Sequence, residues 1–191
     1  MITLRKPLQV DARRLAQAGN HAAIANVMIS VPNPFTREDA DVWIAAIRDR
    51  SGTDGYLIES NDDGSIVGAA ELRDFDRQHR QAEVSFWLTP LVWGTGCAAA
   101  ALTDITRIAF VEHGLNRIYA YHLARSGATG RVMMKCGFHL EARLRQWAWK
   151  DGRGEDAILW SRLVGDPEPS AEAAEKLPTP MDISPFLSRL S

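Results

Sequence analysis

Residues 87–105 read "WLTPLVWGTGCAAAALTDI": a strand end, a turn with glycines at 94 and 96, and an alanine-rich helix that begins at once. So abrupt a hand-over suits a strand in a sheet with its helix packed back across it, one unit of an α/β fold. A helix N-terminus leaves backbone N–H groups unpaired and carries roughly half a positive charge. Gly94 and Gly96 have no side chains to bar a diphosphate from those groups, and small Cys97, Ala98 and Ala99 keep the first turn uncrowded. Two other readings remain open on these residues alone. One is a plain glycine-capped turn; the other is a dinucleotide fold, since Gly94, Gly96 and Ala99 satisfy G-x-G-x-x-A. Against the second, Pro90 interrupts the approach, the motif sits mid-chain, and the next strand, "YAYHLAR", ends without an acidic residue.

The rest of the chain supplies the sheet. Residues 2–5 suit a short strand, and "VDARRLAQAGNHAAIANVMI" has helical spacing broken near Gly19. "FTREDADVWIAAIRDR" predicts a helix capped by Thr36, with Asp39 three residues on. "GYLIES" and "SIVGAAEL" read as a hairpin across "NDDG", and the polar "RDFDRQHRQ" as a loop before the strand "AEVSFWL". After the central helix, closed by Gly114, come the strand "RIYAYHL", a helix from about Thr129 to Lys135, and two strands joined at Asp151 and Gly152. From residue 165 onward, prolines among Ala, Glu and Ser predict a tail, 165–191, outside a single domain, 1–164.

Composition excludes several classes. With 22 basic and 24 acidic residues the chain carries a formal charge of -2, which gives no footprint for a nucleic acid. Two cysteines, Cys97 and Cys136, cannot build a disulfide framework or a four-cysteine metal site, so no metal is expected. "MITLRKPLQV" lacks a signal peptide's apolar core and no run is long enough for a membrane span, which predicts a cytoplasmic protein without membrane attachment.

"AEVSFWLTPLVWGTGCAAAAL" resembles the central motif of GNAT acetyltransferases. "LNRIYAYHLARSGATGRVMMKCGFHLEARLRQ" and "NPFTREDADVWI" resemble segments of the branch that contains ribosomal-protein N-terminal acetyltransferases. The likeness extends to about Leu163. It implies a mixed, strongly twisted sheet that splays between two central strands and is flanked by helices, with acetyl-CoA in the cleft. The partners it implies are acetyl-CoA and an amine acceptor, a peptide N-terminus or a small molecule, and the chain would work as a monomer or homodimer. Main-chain groups of Trp87, Leu88 and Thr89 would hold the pantetheine and acetyl carbonyl, and the amides from Trp93 through Gly94, Thr95, Gly96, Cys97 and Ala98 the pyrophosphate. Ser126, Thr129 and Arg131 are further cofactor candidates.

The chain also departs from the family pattern. Ser126 stands where the family commonly has Asn, Met133 where many members have a tyrosine acid, Ala148 where some have an acidic residue, and Leu91 where Arg or Gln often begins the glycine motif. Glu83 matches a strand glutamate that serves as general base in several members, and burial would raise its pKa toward a useful range. The plainer alternative is an exposed glutamate at a strand start. Glu71 and His122 are fallback bases. Ser126 or Thr129 would hydrogen-bond the departing thiolate, or simply cap the next helix. Trp147 and Trp149 would line an acceptor groove or pack the sheet. Cys97 has no His arranged in sequence to activate it. Loss of the usual acid leaves a second function open, an acyl-CoA-binding or regulatory module without catalytic power.

Overall fold

In the computed structural model, which describes residues 1–49 and 52–169, seven strands form one mixed sheet. They are β1 (Ile2–Arg5), β2 (Asp54–Ser60), β3 (Ile66–Asp76), β4 (Gln81–Leu88), β5 (Arg117–Leu123), β6 (His139–Lys150) and β7 (Arg153–Leu163), in spatial order β1-β2-β3-β4-β5-β7-β6. Five helices, α1 (Ala12–Gly19), α2 (Ala22–Val27), α3 (Arg37–Arg48), α4 (Cys97–Arg107) and α5 (Gly127–Lys135), cover its two faces. Thr36 caps α3 as its sequence predicts: the Thr36 hydroxyl accepts from the Asp39 amide at 3.2 Å, and the Asp39 carboxylate accepts from the Thr36 amide at 2.7 Å.

Alternation along β4 sorts the sheet's two sides. Val84 and Leu88 pack with Leu102 and Ile105 of α4 and with Ile118 and Trp160, forming the larger core. Trp87, on the opposite pleat, joins the smaller core built by α1, α3 and Phe35.

Every sheet pairing is antiparallel except β4 with β5, and that exception is short. Gln81, Ala82 and Glu83 pair with Arg117, Ile118 and Tyr119, and there the ladder ends, five residues before β4 does. Two twisted strands that part company while both continue leave a wedge between them. The parallel step needs a crossover, and α4 supplies it, starting directly beside the wedge.

Two boundaries differ from those read in the sequence. β3 does not stop at Leu72 but runs through Arg73 to Asp76, paired to β4 across an irregularity between Arg73 and Asp76. The polar residues there form the protruding end of a hairpin, where cross-strand hydrogen bonds hold a strand that hydrophobicity does not advertise. α5 begins at Gly127 rather than near Thr129. Beyond β7, Asp166 accepts from the Leu163 amide at 2.8 Å and Glu168 pairs with Arg162 at 3.1 Å. Residues 170–191, most of the expected tail, lie outside the described residues.

Candidate active site in the sheet wedge

The wedge is an open cavity with about 1160 Å³ of empty space, lined by β4, the start of α4, β5, α5, α2 and Trp147 of β6. At its outer end Gly94 and Gly96 take φ of 78° and 90°, the left-handed region that side chains disfavour. A Cβ built on either would meet nothing within 4 Å, so the space beside the turn is open. The first bond of α4 runs from the Ala100 amide to the Gly96 carbonyl at 3.1 Å. Ahead of it, the amides of residues 94–99 have no acceptor among the described residues. Six consecutive uncommitted donors at a helix start form a cradle for an anion.

This row differs by one residue at each end from the one expected. Trp93 is excluded because its amide already donates to Pro90 at 3.1 Å. Ala99 is included because the first helical acceptor, the Gly96 carbonyl, is taken by the Ala100 amide, which leaves the Ala99 amide over. The Trp93 indole contributes differently, donating to the Leu88 carbonyl at 2.8 Å and so tying the turn to the end of β4.

The exposed edge of β4 requires a similar correction. The Thr89 amide donates to Val67 at 2.8 Å and the Thr89 carbonyl accepts from Val92 at 3.2 Å, so both its main-chain groups are occupied. Antiparallel pairing alternates, so with Thr89 turned toward β3, Trp87, opposite Ala69, turns the same way. The groups directed into the wedge are those of Phe86 and Leu88. Trp87 instead offers its ring, set edge-on to Phe35 with centroids 6.0 Å apart.

Ser126 and Thr129 both reach the cavity, and their hydroxyls hydrogen-bond each other at 3.0 Å. Neither side chain caps α5. Met133, in the place of the usual tyrosine, is buried and lines the wedge without a proton to give. Arg131 is exposed on α5 and is absent from the lining of the wedge. Arg125, just before α5, pairs with Glu155 at 3.4 Å. Thr95 and Cys97 are neighbours at the turn, with Oγ1 3.2 Å from Sγ.

His122 adds a detail that its sequence context did not reveal. It is 4% exposed, its Nδ1 lies 2.9 Å from the Leu123 carbonyl, and its buried Nε2 has no partner. Burial lowers its pKa, so the ring is neutral; with Nδ1–H donating to the carbonyl, Nε2 is left as an acceptor. That nitrogen is shielded from solvent and faces Gly130 of α5, where an added Cβ would lie 3.2 Å from it, so it packs the α5 wall, while the free amides at the mouth are what a ligand's diphosphate would satisfy.

On the other side of β4, Glu83 is 7% exposed and lies 2.5 Å from Nη2 of Arg73. Burial raises its pKa, and the Arg73 hydrogen bond and charge oppose that rise without cancelling it. Arg73 also reaches Glu71 at 3.3 Å, and the Trp43 indole donates to the second Glu71 oxygen at 2.6 Å. Tyr121, its pKa raised by burial and then by the Glu83 charge, stacks on Trp147 with ring centroids 4.4 Å apart. Arg73, Trp43 and Tyr121 were missed as site residues because each needs the sheet's register to bring it here. For Arg73 the signal was available: it continues the Glu71 pleat by two.

Among the described residues no cluster of His, Cys, Asp or Glu is arranged to hold a metal, and no helix is long and apolar enough to cross a membrane.

Comparison with known proteins agrees with this geometry. Residues 1–139 match the family model described as an acetyltransferase (GNAT) domain. The chain is 29% identical over 104 residues to the uncharacterized N-acetyltransferase YoaA of Bacillus subtilis, a match spanning 54% of this chain and 59% of that protein. It is 26% identical over 169 residues to the putative ribosomal N-acetyltransferase YdaF of the same organism, covering 85% of this chain and 91% of the relative. Spermidine N-acetyltransferase from Vibrio cholerae, solved in complex with CoA and spermine, superposes with a TM-score of 0.74 at 21% identity, over 85% of this chain and 95% of that one.

Proposed function

The chain belongs to the GNAT acetyltransferase family, and from that premise we propose that it transfers acetyl from acetyl-CoA to a single primary amine by direct attack within a ternary complex. The observation that carries this reading is the row of uncommitted amides at residues 94–99, at the mouth of a wedge whose β4 edge is itself unpaired.

Acetyl-CoA, when bound, supplies a thioester already activated toward amines. The amides at 94–99 bind its diphosphate, and the turn's positive φ values keep the approach clear. Main-chain groups of Phe86 and Leu88 align the pantetheine arm, with the Leu88 carbonyl held in place by Trp93. The hydroxyl pair of Ser126 and Thr129 stands on the α5 wall and donates toward the sulfur as charge leaves through it. Cys97 has no part as a nucleophile, its polar neighbour being the Thr95 hydroxyl.

Attack requires a neutral amine. At pH 7 deprotonation costs about 1 kcal/mol for an α-amine and about 4.6 kcal/mol for a lysine-like amine. Glu83 is positioned to take that proton on Oε2, because Arg73 holds the other oxygen. Its raised pKa makes it a better base than an ordinary surface carboxylate.

Thiol release on mixing the protein with acetyl-CoA and a panel of amines and peptides tests the reading. Release that saturates with acetyl-CoA and depends on the amine is expected. CoA binding without release from any amine would favour a binding module, and protection by NAD(P) but not CoA would favour a dinucleotide site.

Arg73→Gln should also move the acidic limb of the rate profile. With the guanidinium gone, burial of Glu83 is unopposed and its pKa climbs further, so the base is lost to protonation at higher pH than in the parent. A limb that stays put in the pH profile of kcat/KM would separate Arg73 from Glu83.

A further inference from the structure

The acceptor side of the wedge holds few charges, and they are nearly spent on one another. Two carboxylates line it and the adjoining cavity of about 610 Å³, which shares Met28, Ser30, Arg73 and Trp87 with the wedge. Both Glu71 oxygens are taken, Oε1 by Arg73 and Oε2 by the Trp43 indole. Glu83 Oε1 is taken by Arg73. Glu83 Oε2 is the one carboxylate oxygen of the pair without a partner among the described residues.

Around that single free oxygen the walls are apolar and flat. Tyr121 and Trp147 stack with rings 20° apart, Tyr119 sets its edge on Tyr121 at 5.7 Å, and Trp147 remains 45% exposed. Ile24, Val27 and Met28 on and just after α2 line the same cavity. Within the lining a second ammonium would find no unpartnered carboxylate and would face Arg73; the further acidic group whose charge reaches Glu83 and Tyr121, Asp74, is exposed outside the lining. One ammonium on a flat apolar body suits all of these features, because the ring faces accept apolar area and attract a cation at their surface.

We infer that the acceptor is a monoamine on an aromatic or flat apolar body, bound with its nitrogen at Glu83 and its body against the Tyr121–Trp147 stack. The inference rests on the transferase reading above and names the substrate class of that same site. Its chemistry has two sources, a free arylalkylamine or a peptide whose first residue is aromatic.

Calorimetric titration into the CoA-saturated protein, alongside kcat/KM from thiol release, tests it with four acceptors: 2-phenylethylamine, a Phe-initiated tetrapeptide, the matching Ser-initiated tetrapeptide and spermidine. At least one of the two aromatic acceptors should exceed both the Ser peptide and spermidine about 30-fold in kcat/KM and bind measurably tighter. Which of the two leads identifies the source. Trp147→Ala should collapse that preference toward unity through KM, with CoA affinity as in the parent. Spermidine equal to or better than the aromatic acceptors overturns the class while leaving the transferase intact. Equal losses for all four acceptors in Trp147→Ala overturn the role of the stack. CoA binding with no turnover and no acceptor binding overturns the transferase reading as well.

Discussion

Replacing Gly96 with glutamate is expected to abolish measurable acetyl-CoA binding. Two effects act in the same direction. Gly96 sits at φ 90°, where any other residue is strained by about 1–3 kcal/mol, so the turn relaxes and its amides lose their common aim. The new carboxylate would then enter the open space proposed for the diphosphate, so like charges would face each other across it. Charge-assisted hydrogen bonds contribute about 1.5–3 kcal/mol each. Losing two of them weakens binding by roughly 100-fold to 10⁴-fold at 1.4 kcal/mol per decade. Nothing lies within 4 Å of the added Cβ, so the fold should survive, and an unchanged near-ultraviolet circular dichroism spectrum would establish that. Gly96→Ala separates the two effects, since it introduces the strain without the charge and should bind more weakly than the parent yet better than the glutamate variant. Calorimetry showing parental affinity in Gly96→Glu would dissociate the turn from the cofactor altogether.

Glu83→Gln carries the second large effect, and its signature is the shape of the pH profile. Loss of a positioned general base typically lowers a rate by about 10²–10⁴. In the parent, kcat/KM should fall as pH drops through the Glu83 pKa, because a protonated carboxyl cannot accept a proton; burial places that fall above the usual glutamate range. In the variant this limb disappears, and the rate instead tracks the fraction of acceptor already free as amine. The deficit is therefore widest around neutral and mildly acidic pH and narrows as pH approaches the acceptor's own pKa. CoA affinity should hardly change, because Glu83 lies on the pleat turned away from α4, at the opposite end of the wedge from the glycine turn. Parallel profiles for the two proteins would remove Glu83 from proton transfer.

What the sequence reveals about this protein is what local periodicity encodes. The strand at 82–88, the central helix, which continues past α4 as a π-helical segment over Ile108–Glu112 before Gly114, and the capping box at Thr36 and Asp39 each depend on neighbours within one or two turns, and each lies where its pattern indicates. The orientation of a main-chain group does not. Which of Phe86, Trp87 and Leu88 points into the wedge depends on register with β3, and a one-residue change of register reverses the answer. Arg73 was hidden because polar residues at the end of a long hairpin look like a loop until the partner strand is known. Tyr121 and Trp147 are 26 residues apart and meet across β7, which lies between their two strands in the order β5-β7-β6, a placement no local pattern encodes. Met133 illustrates the reverse case. The family pattern assigns its position a role, but a methionine has no proton to donate.

The three-residue seam between β4 and β5 has a consequence for how the protein holds together. To one side of it, β1 to β4 form an antiparallel leaf; to the other, β5 to β7 form a second leaf, and Gln81, Ala82 and Glu83, with the Arg80 carbonyl beside them, are main-chain stitches between the two. A ligand that bonds to the free edge of one leaf while packing against the other serves as mortar as well as reagent. Occupancy by such a ligand would stabilise the folded sheet by RT ln(1 + [L]/Kd), so the acetyl donor would act on the stability of the joint as well as on the rate.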